Sequence, residues 1–131
     1  MDLINLPEFI DPSGNLSVAE FPGLLPFPPR RFFLIYGVPE GSVRGNHAHK
    51  ELHQFVICTR GSCIVSLADG QHQWEFVLDT PTKGLYLPPM VWAAQSHFTP
   101  DAVLLVLASD IYKPKDYIND YDEFLLMVNK E

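Results

Sequence analysis

Two histidines, His47 and His49, stand one residue apart near the middle of the 131-residue chain. In an extended segment alternate side chains share a face, so both imidazoles would reach the same small ligand. Imidazole titrates close to neutral pH, which suits a group that takes up and returns a proton. Arg44 lies opposite the histidines in simple alternation, unless Gly45 permits a bulge or a tight bend. The spacing predicts a pair of proton-transferring histidines on one strand.

Arginine and tyrosine side chains elsewhere are candidates for the same site. A small phosphorylated ligand needs two or three local cations. Four arginines can supply them, because guanidinium stays charged and presents fixed donors: Arg30, Arg31, Arg44 and Arg60. Tyr36 ends an apolar segment and can present its hydroxyl as a proton donor or a hydrogen-bond partner. A buried tyrosine capped by a backbone carbonyl is the alternative.

The composition and charge are those of a single globular domain, which we assign to residues 1–131. Hydrophobic residues make up 47% and charged residues 19% of the chain. The net charge of -7 argues against nucleic acid and anionic membranes as partners, since both require basic faces. With no secretory signal and no apolar run near the roughly 20 residues of a membrane span, we expect a cytoplasmic protein. Cys58 and Cys63 are expected to be small buried residues.

The elements that must position these residues are predicted to be short strands. Turn-forming residues separate ten segments rich in apolar or alternating side chains, residues 3–10, 16–21, 31–36, 42–49, 52–59, 62–67, 71–78, 85–87, 91–95 and 102–109. The apolar segment 31–36 predicts a strand buried on both faces or nearly so, whereas residues 79–84 predict a turn. Residues from 112 onward predict one or two short helices. This pattern is typical of an antiparallel sandwich or barrel.

Residues 1–29 are predicted to form an N-terminal hairpin and a stiff connector. The connector, residues 22–29, contains four prolines and a glycine, so it can be neither a helix nor a central strand. We expect it to cross a sheet edge or to reach a neighbouring subunit.

The segment around the histidines resembles the first sequence motif of the cupins. The spacing of that motif is matched by Gly41, His47, His49 and Gly61. Gln54 stands where cupins have glutamate. The resemblance implies an all-β cupin jelly roll, an antiparallel β-barrel, with a short helical C-terminus.

The second cupin motif resembles residues 88–93, where Met90 replaces its glycine and Ala93 its histidine. Two of the four metal ligands of a cupin are therefore missing, and we predict no metal and no other cofactor. His53, which shares parity with His47 and His49, could supply a third nitrogen unless the chain bends at residues 50–51.

A narrower resemblance covers nearly the whole chain. The chain resembles the sugar 3,4-ketoisomerases within the WxcM-like cupins. The residues that carry this resemblance are 44–50 (RGNHAHK), 61–63, 69–70, 103–110 and 116–124 (DYINDYDEF). The resemblance implies a metal-independent isomerase of deoxysugar biosynthesis that acts on dTDP-4-keto-6-deoxyglucose through an enediol or enediolate. It also implies a homodimer with exchanged N-terminal strands.

Within this resemblance each candidate residue is assigned a role. His49 is the base, and His47 orients it or returns the second proton. Arg44 and Tyr36 complete the catalytic group. The residues assigned to substrate binding are Arg31, Arg60, Trp92 and Gln95. Trp92 can stack on the thymine and Gln95 can form a hydrogen bond with it. A tryptophan after a proline pair is, however, as often a core residue.

Three other functions compete with this interpretation. A metal-dependent cupin enzyme would need stoichiometric metal, and a non-catalytic nucleotide-sugar-binding cupin would show no proton exchange. An epimerase of the cupin type would use a His–Asp pair and a tyrosine, and we expect no suitably placed aspartate near His49.

Overall fold

Short apolar strands that end at glycine- or proline-containing turns make up most of the computed structural model, which describes residues 1–129. The strands are β1 (Asp2–Asn5), β2 (Glu8–Asp11), β3 (Gly14–Ser17), β4 (Arg31–Tyr36), β5 (Arg44–His49), β6 (Gln54–Arg60), β7 (Cys63–Ala68), β8 (Gln73–Leu78), β9 (Lys83–Leu87), β10 (Trp92–Ser96), β11 (Val103–Ala108) and β12 (Tyr117–Ile118). A 3-10 helix (Pro114–Asp116) and the helix α1 (Tyr121–Val128) complete the chain. None of the helices within residues 1–129 is long and apolar enough to cross a membrane.

Two five-stranded antiparallel sheets form the body of the protein. The first has the order β1-β9-β6-β11-β4, and the second has the order β12-β5-β10-β7-β8. Their inner faces supply one apolar core, which includes Val56, Val65, Leu104 and Val106. This architecture, with one short C-terminal helix, confirms the predicted all-β fold.

The proline-rich connector covers part of the outer face of the first sheet. Leu25 and Phe27 are buried there against Phe55 and Ile57 of β6, together with Leu6. Folding back in this way removes apolar surface from water that β6 would otherwise expose. The connector therefore crosses a sheet face within one chain.

The strand at residues 31–36 is not buried on both faces, as its composition predicted. In the part of the chain that the structure describes, β4 is the last strand of the first sheet and pairs only with β11. Phe33 and Ile35 pack against the core, whereas Phe32, Leu34 and Tyr36 point outward and are 64%, 46% and 70% exposed. A strand that is apolar throughout its sequence can therefore have one exposed face, and the composition alone did not indicate this.

Three element boundaries also differ from the prediction. Residues 3–10 divide into β1 and β2, which belong to different sheets. Gly84, predicted in a turn, lies within β9 and pairs with Ile4 of β1. The segment after residue 112 is only partly helical, since β12 precedes α1 and pairs with β5. Residues 130–131 of the predicted helical region and of the assigned domain lie outside the described residues.

Candidate active site

A bulge in β5 determines which side chains face the interior. The register with β10 shifts by one residue, so that the paired positions are His47 with Ala93, Gly45 with Ala94, and Arg44 with Gln95. Asn46, the extra residue, has a φ of 58°. Because directly paired residues share a face, the bulge moves Arg44 to the face of His47. Gly45 thus permits the bulge that the sequence left as an alternative, and Arg44 does not lie opposite the histidines.

Glycine at position 45 is required by the close approach of β10. Its φ is 86°, and a Cβ there would lie 2.9 Å from the carbonyl oxygen of Ala93 and 3.1 Å from Oε1 of Gln95. Any larger residue would push the two strands apart. Gly45 therefore allows β5 and β10 to bring Arg44, His47 and Gln95 together.

The two imidazoles meet edge to face on the inner side of β5. The ring centroids of His47 and His49 are 4.9 Å apart, and the ring planes are inclined by 88°. Nδ1 of His47 donates a hydrogen bond to the carbonyl oxygen of Gly45 at 3.2 Å. His49 is only 5% exposed. The predicted histidine pair is therefore confirmed as a spatial pair.

His49 also contacts an aspartate that sequence reasoning did not assign. Its Nδ1 lies 3.1 Å from Oδ2 of Asp116, in the 3-10 helix. Its other ring nitrogen, Nε2, is buried and has no hydrogen-bond partner among residues 1–129. The expectation that no aspartate lies near His49 is wrong, because β12 pairs with β5 and brings residue 116 to the histidine.

The surroundings of His49 keep it neutral near pH 7. The pKa of His49 is lowered to about 4, mainly by burial, with further contributions in the same direction from His47 and, more weakly, from Arg31. The hydrogen bond and charge of Asp116 act in the opposite direction. Burial also lowers the pKa of His47. Both imidazoles therefore have an unprotonated nitrogen to offer at neutral pH.

Two tyrosines form one wall of the site. The ring of Tyr117 lies 4.4 Å from the ring of His49 and 4.9 Å from that of His47. Tyr112 stands against Tyr117, and the guanidinium of Arg31 lies 5.8 Å from the centre of the Tyr112 ring. The buried Nε of Arg31 has no hydrogen-bond partner among residues 1–129. Arg31 is thus linked to the histidines through Tyr112 and Tyr117, and its predicted substrate-binding role stays a prediction.

Tyr36 and Arg60 do not join the histidines within the chain. Tyr36 pairs with Val103 at the end of β4 remote from Arg31, and its side chain is on the outer face. Arg60 pairs with Val103 from the other side and forms an exposed ion pair with Asp101 at 3.6 Å. The roles predicted for Tyr36 and Arg60 stay predictions, since neither side chain is placed beside the histidines of its own chain. Tyr117 is the tyrosine that contacts the pair.

Trp92 also lies away from the site. It pairs with Ala68 on the outer face of the second sheet, and its ring packs against Tyr121 and Phe124 of α1. Within one chain Trp92 therefore has the packing position that the sequence left as its alternative, and its stacking on the thymine stays a prediction. Gln95, three residues later, lies on the inner face opposite Arg44.

His53 does not provide a third nitrogen beside the pair. Its Nδ1 forms a 2.6 Å hydrogen bond with the hydroxyl of Tyr86, and its ring lies against Phe27 of the connector. The bend after His49 turns it to the outer face of the first sheet. Residues 1–129 contain no cluster of three histidine, cysteine or acidic side chains suited to hold a metal ion.

The signal for Asp116 and Tyr117 was present in the sequence but far from the histidines. Both begin the segment DYINDYDEF, which carried part of the family resemblance. Its interleaved acidic and aromatic residues resemble an amphipathic helix, and a two-residue strand has no periodicity to detect. The contact joins residues 67 positions apart.

Known proteins are similar to this chain over almost its whole length. The family model described as "FdtA: WxcM-like, C-terminal" matches residues 1–129. The chain is 41% identical over 128 residues to a TDP-4-oxo-6-deoxy-alpha-D-glucose-3,4-oxoisomerase of Aneurinibacillus thermoaerophilus, covering 98% of this chain and 92% of the relative.

Two solved structures are similar over almost their full length. A 3,4-ketoisomerase from Helicobacter canadensis is 40% identical, with a TM-score of 0.95 and coverage of 98% of this chain and 97% of that chain. A sugar 3,4-ketoisomerase from Thermoanaerobacterium thermosaccharolyticum, solved in complex with TDP, is 37% identical, with a TM-score of 0.95 and coverage of 98% and 94%. With the fold, the histidine pair and the family model in agreement, this chain belongs to the WxcM-like, C-terminal family.

Proposed function

We propose that this protein is a sugar 3,4-ketoisomerase that converts dTDP-4-keto-6-deoxyglucose into a dTDP-3-keto-6-deoxyhexose in deoxysugar biosynthesis. One observation carries the proposal: His49 presents a buried, unpartnered Nε2 within residues 1–129, beside a second imidazole. The 41% identity to an oxoisomerase named for this substrate supports the choice of sugar.

The reaction requires a base, a stabilised anion and a returning proton. Nε2 of His49 takes the proton from carbon 3, and the electrons of that C–H bond form the double bond between carbons 3 and 4. The carbonyl oxygen at carbon 4 becomes the enediolate oxygen. A proton then moves from the oxygen on carbon 3 to the oxygen on carbon 4. Protonation of carbon 4 leaves the carbonyl at carbon 3.

Cations at the site support the anionic intermediate. Arg31 is close enough to lower the pKa of His49, so it acts on charge at the same point. Arg44 shares the face of His47. Their guanidinium groups remain charged and present several donors, which suits an enediolate or a diphosphate oxygen. Once a negative charge develops on the sugar, the imidazolium of His49 becomes more favourable and its low basicity in the free protein is offset.

The test is incubation with dTDP-4-keto-6-deoxyglucose in deuterated water, followed by NMR. We expect the carbonyl to move to carbon 3 and one solvent deuteron to appear at carbon 4. No product and no exchange would instead support a non-catalytic binding protein. Activity that requires one divalent ion would support a metal-dependent enzyme.

A second function, epimerisation of the same substrate class, is favoured by one observation. The Asp116–His49 contact at 3.1 Å and the adjacent Tyr117 ring match the groups expected of a cupin epimerase. The same experiment separates the two, because an epimerase exchanges protons while the carbonyl stays at carbon 4. Near-complete coverage of ketoisomerases at 37–41% identity favours the isomerase.

A homodimer is part of the proposal. The outward residues of β4 form an apolar strip, defined as Phe32, Leu34 and Tyr36, which residues 1–129 of the same chain leave 46–70% exposed. The β2–β3 hairpin forms a separate two-stranded sheet and exposes further apolar residues, Phe9, Ile10 and Leu16. Contiguous exposed apolar surface and an unpaired strand edge favour association. We expect a second copy to cover the strip, with the N-terminal strands contributing to the contact.

We place the enzyme in the cytoplasm. Cys58 and Cys63 are both buried free thiols, and their side chains are close enough to share a hydrogen bond. A reducing compartment maintains such thiols.

A further inference from the structure

We infer that Asp116 is a positioning residue that holds His49 in the tautomer whose Nε2 is free to take a proton. The inference rests on the proposed role of His49 as the base. It concerns a residue that does not touch the substrate and acts only through the imidazole.

The first observation is the bonding of the Asp116 carboxylate. Oδ1 accepts a hydrogen bond from the backbone N–H of Glu51 at 2.8 Å, and Oδ2 accepts one from that of Leu52 at 3.3 Å. Oδ2 also lies 3.1 Å from Nδ1 of His49. An ionised carboxylate can only accept hydrogen bonds, so Nδ1 must carry the proton in this contact. In a neutral imidazole Nε2 is then the unprotonated nitrogen.

The second observation is that the backbone fixes Asp116 as well. Its carbonyl oxygen accepts from the N–H of Lys50 at 2.9 Å, and its own N–H donates to the carbonyl oxygen of Lys113 at 3.0 Å. The side chains of Asp116 and His49 are only 13% and 6% exposed. Hydrogen bonds to both the side chain and the backbone of Asp116 therefore fix the residue. Its carboxylate cannot turn away from His49 without breaking its hydrogen bonds to the bend at residues 50–52.

The third observation is the contrast with His47. Its Nδ1 donates to the carbonyl oxygen of Gly45 at 3.2 Å, so a neutral backbone group holds its ring. Only His49 has a carboxylate that also stabilises the imidazolium once the proton has been taken. This difference assigns the base function to His49 and the secondary role to His47.

To test the inference, the tautomer of His49 is determined by ¹⁵N NMR of the full-length protein at pH 7. In the wild type we expect a proton on Nδ1 and none on Nε2. In Asp116→Asn the amide oxygen keeps the shorter bond from Glu51, and the amide N–H₂ then faces Nδ1. We expect the His49 proton to move to Nε2 in this variant, and turnover to fall about 10²–10⁴-fold. The KM is expected to change little.

The matched control is Asp110→Asn. Asp110 lies in the same C-terminal segment and pairs with Arg30 and Lys113 at 3.1 and 2.6 Å, away from His49. We expect it to leave both the tautomer and the turnover unchanged. Circular dichroism of each variant checks that the fold is retained.

A wild-type protein with the proton on Nε2 of His49 would overturn the inference, whether or not the variant folds. An Asp116→Asn variant with an unchanged tautomer would also overturn it. A variant whose tautomer switches while turnover stays at the wild-type level would overturn the functional part and place the fault in the role proposed for His49.

Discussion

The two histidines of this site are chemically unequal although they share a strand and a face. His49 is the more deeply buried, contacts a carboxylate, and has an Nε2 without a partner among residues 1–129. The hydrogen bond that His47 makes within residues 1–129 is to a backbone carbonyl, that of Gly45. The residue types and spacing predicted the pair, but the ranking within it depends on Asp116, which contacts only one of them.

The pH dependence of catalysis follows from the low pKa of His49. Protonated His49 cannot act as a base, so kcat/KM should fall on the acid side with a midpoint near pH 4. A pH–rate profile of kcat/KM measures this directly. A midpoint at 6.5, the ordinary value of a histidine, would contradict it.

Acid stability provides the control for that profile. The unfolded chain protonates His49 near pH 6.5, whereas the folded protein does so only near pH 4. The unfolded state therefore binds more protons between these values, and the free energy of unfolding should decrease as pH falls through this window. Circular dichroism at each pH separates loss of the base from loss of the fold.

Removal of metal ions should leave activity unchanged. Ala93 and Gln54 stand where cupins place two of their metal ligands, and His53 is bonded to Tyr86 instead of facing the pair. Two neutral imidazoles alone make a weak site for a divalent ion. Turnover measured before and after dialysis against EDTA is the test, and activity lost on dialysis and restored by one divalent ion would disprove metal independence.

At the scale of elements, local patterns predicted much of the fold and long-range pairing determined the rest. The alternation of residues 71–78 and the hairpin signals located most strands, because they depend on neighbours in sequence. The position of Arg44 depended on a bulge, which Gly45 permitted but did not require. Met90, where the cupin motif has glycine, has a φ of 62°, in the left-handed region that favours glycine. The sequence therefore did not mark this turn by the residue that most readily adopts its conformation.

The placement of four residues could not be predicted from local sequence patterns. Tyr36 and Trp92 both lie on strands, but each points to the outer face, and an apolar run carries no alternation from which the face can be read. Asp116 and Tyr117 reach His49 only because β12 pairs with β5. That pairing is set by the packing of the whole C-terminal segment.

Strand β9 offers a test of close packing. A Cβ added at Gly84 would overlap the ring of Phe55, a fully buried side chain of β6. Gly84→Ala should therefore lower the free energy of unfolding by about 1–3 kcal/mol, measured by urea denaturation. In a Phe55→Leu background the same substitution should cost less, because the ring is absent. Equal costs in both backgrounds would show that the ring is not the cause.

At the scale of the whole molecule, the apolar strip on β4 is an apolar surface that residues 1–129 leave exposed. We expect Leu34→Lys to convert a dimer into a monomer, since burying an unpaired ammonium in an apolar contact is costly. Light scattering coupled to size exclusion measures the mass. Val77→Lys is the matched control, because Val77 is 58% exposed on β8 of the other sheet. A monomeric wild type, or a Leu34→Lys variant that stays dimeric, would refute the proposed interface.

The measurement that bears most directly on the proposed function is hydrogen exchange at carbon 3 of dTDP-4-keto-6-deoxyglucose in deuterated water, with His49→Asn and His47→Asn compared with the wild type. Asparagine keeps approximate volume and hydrogen bonding but removes the base. We predict that His49→Asn still binds dTDP with near-normal affinity while exchange and turnover fall about 10²–10⁴-fold, and that His47→Asn loses less. Exchange at the wild-type rate in His49→Asn would contradict the assignment of His49 as the base.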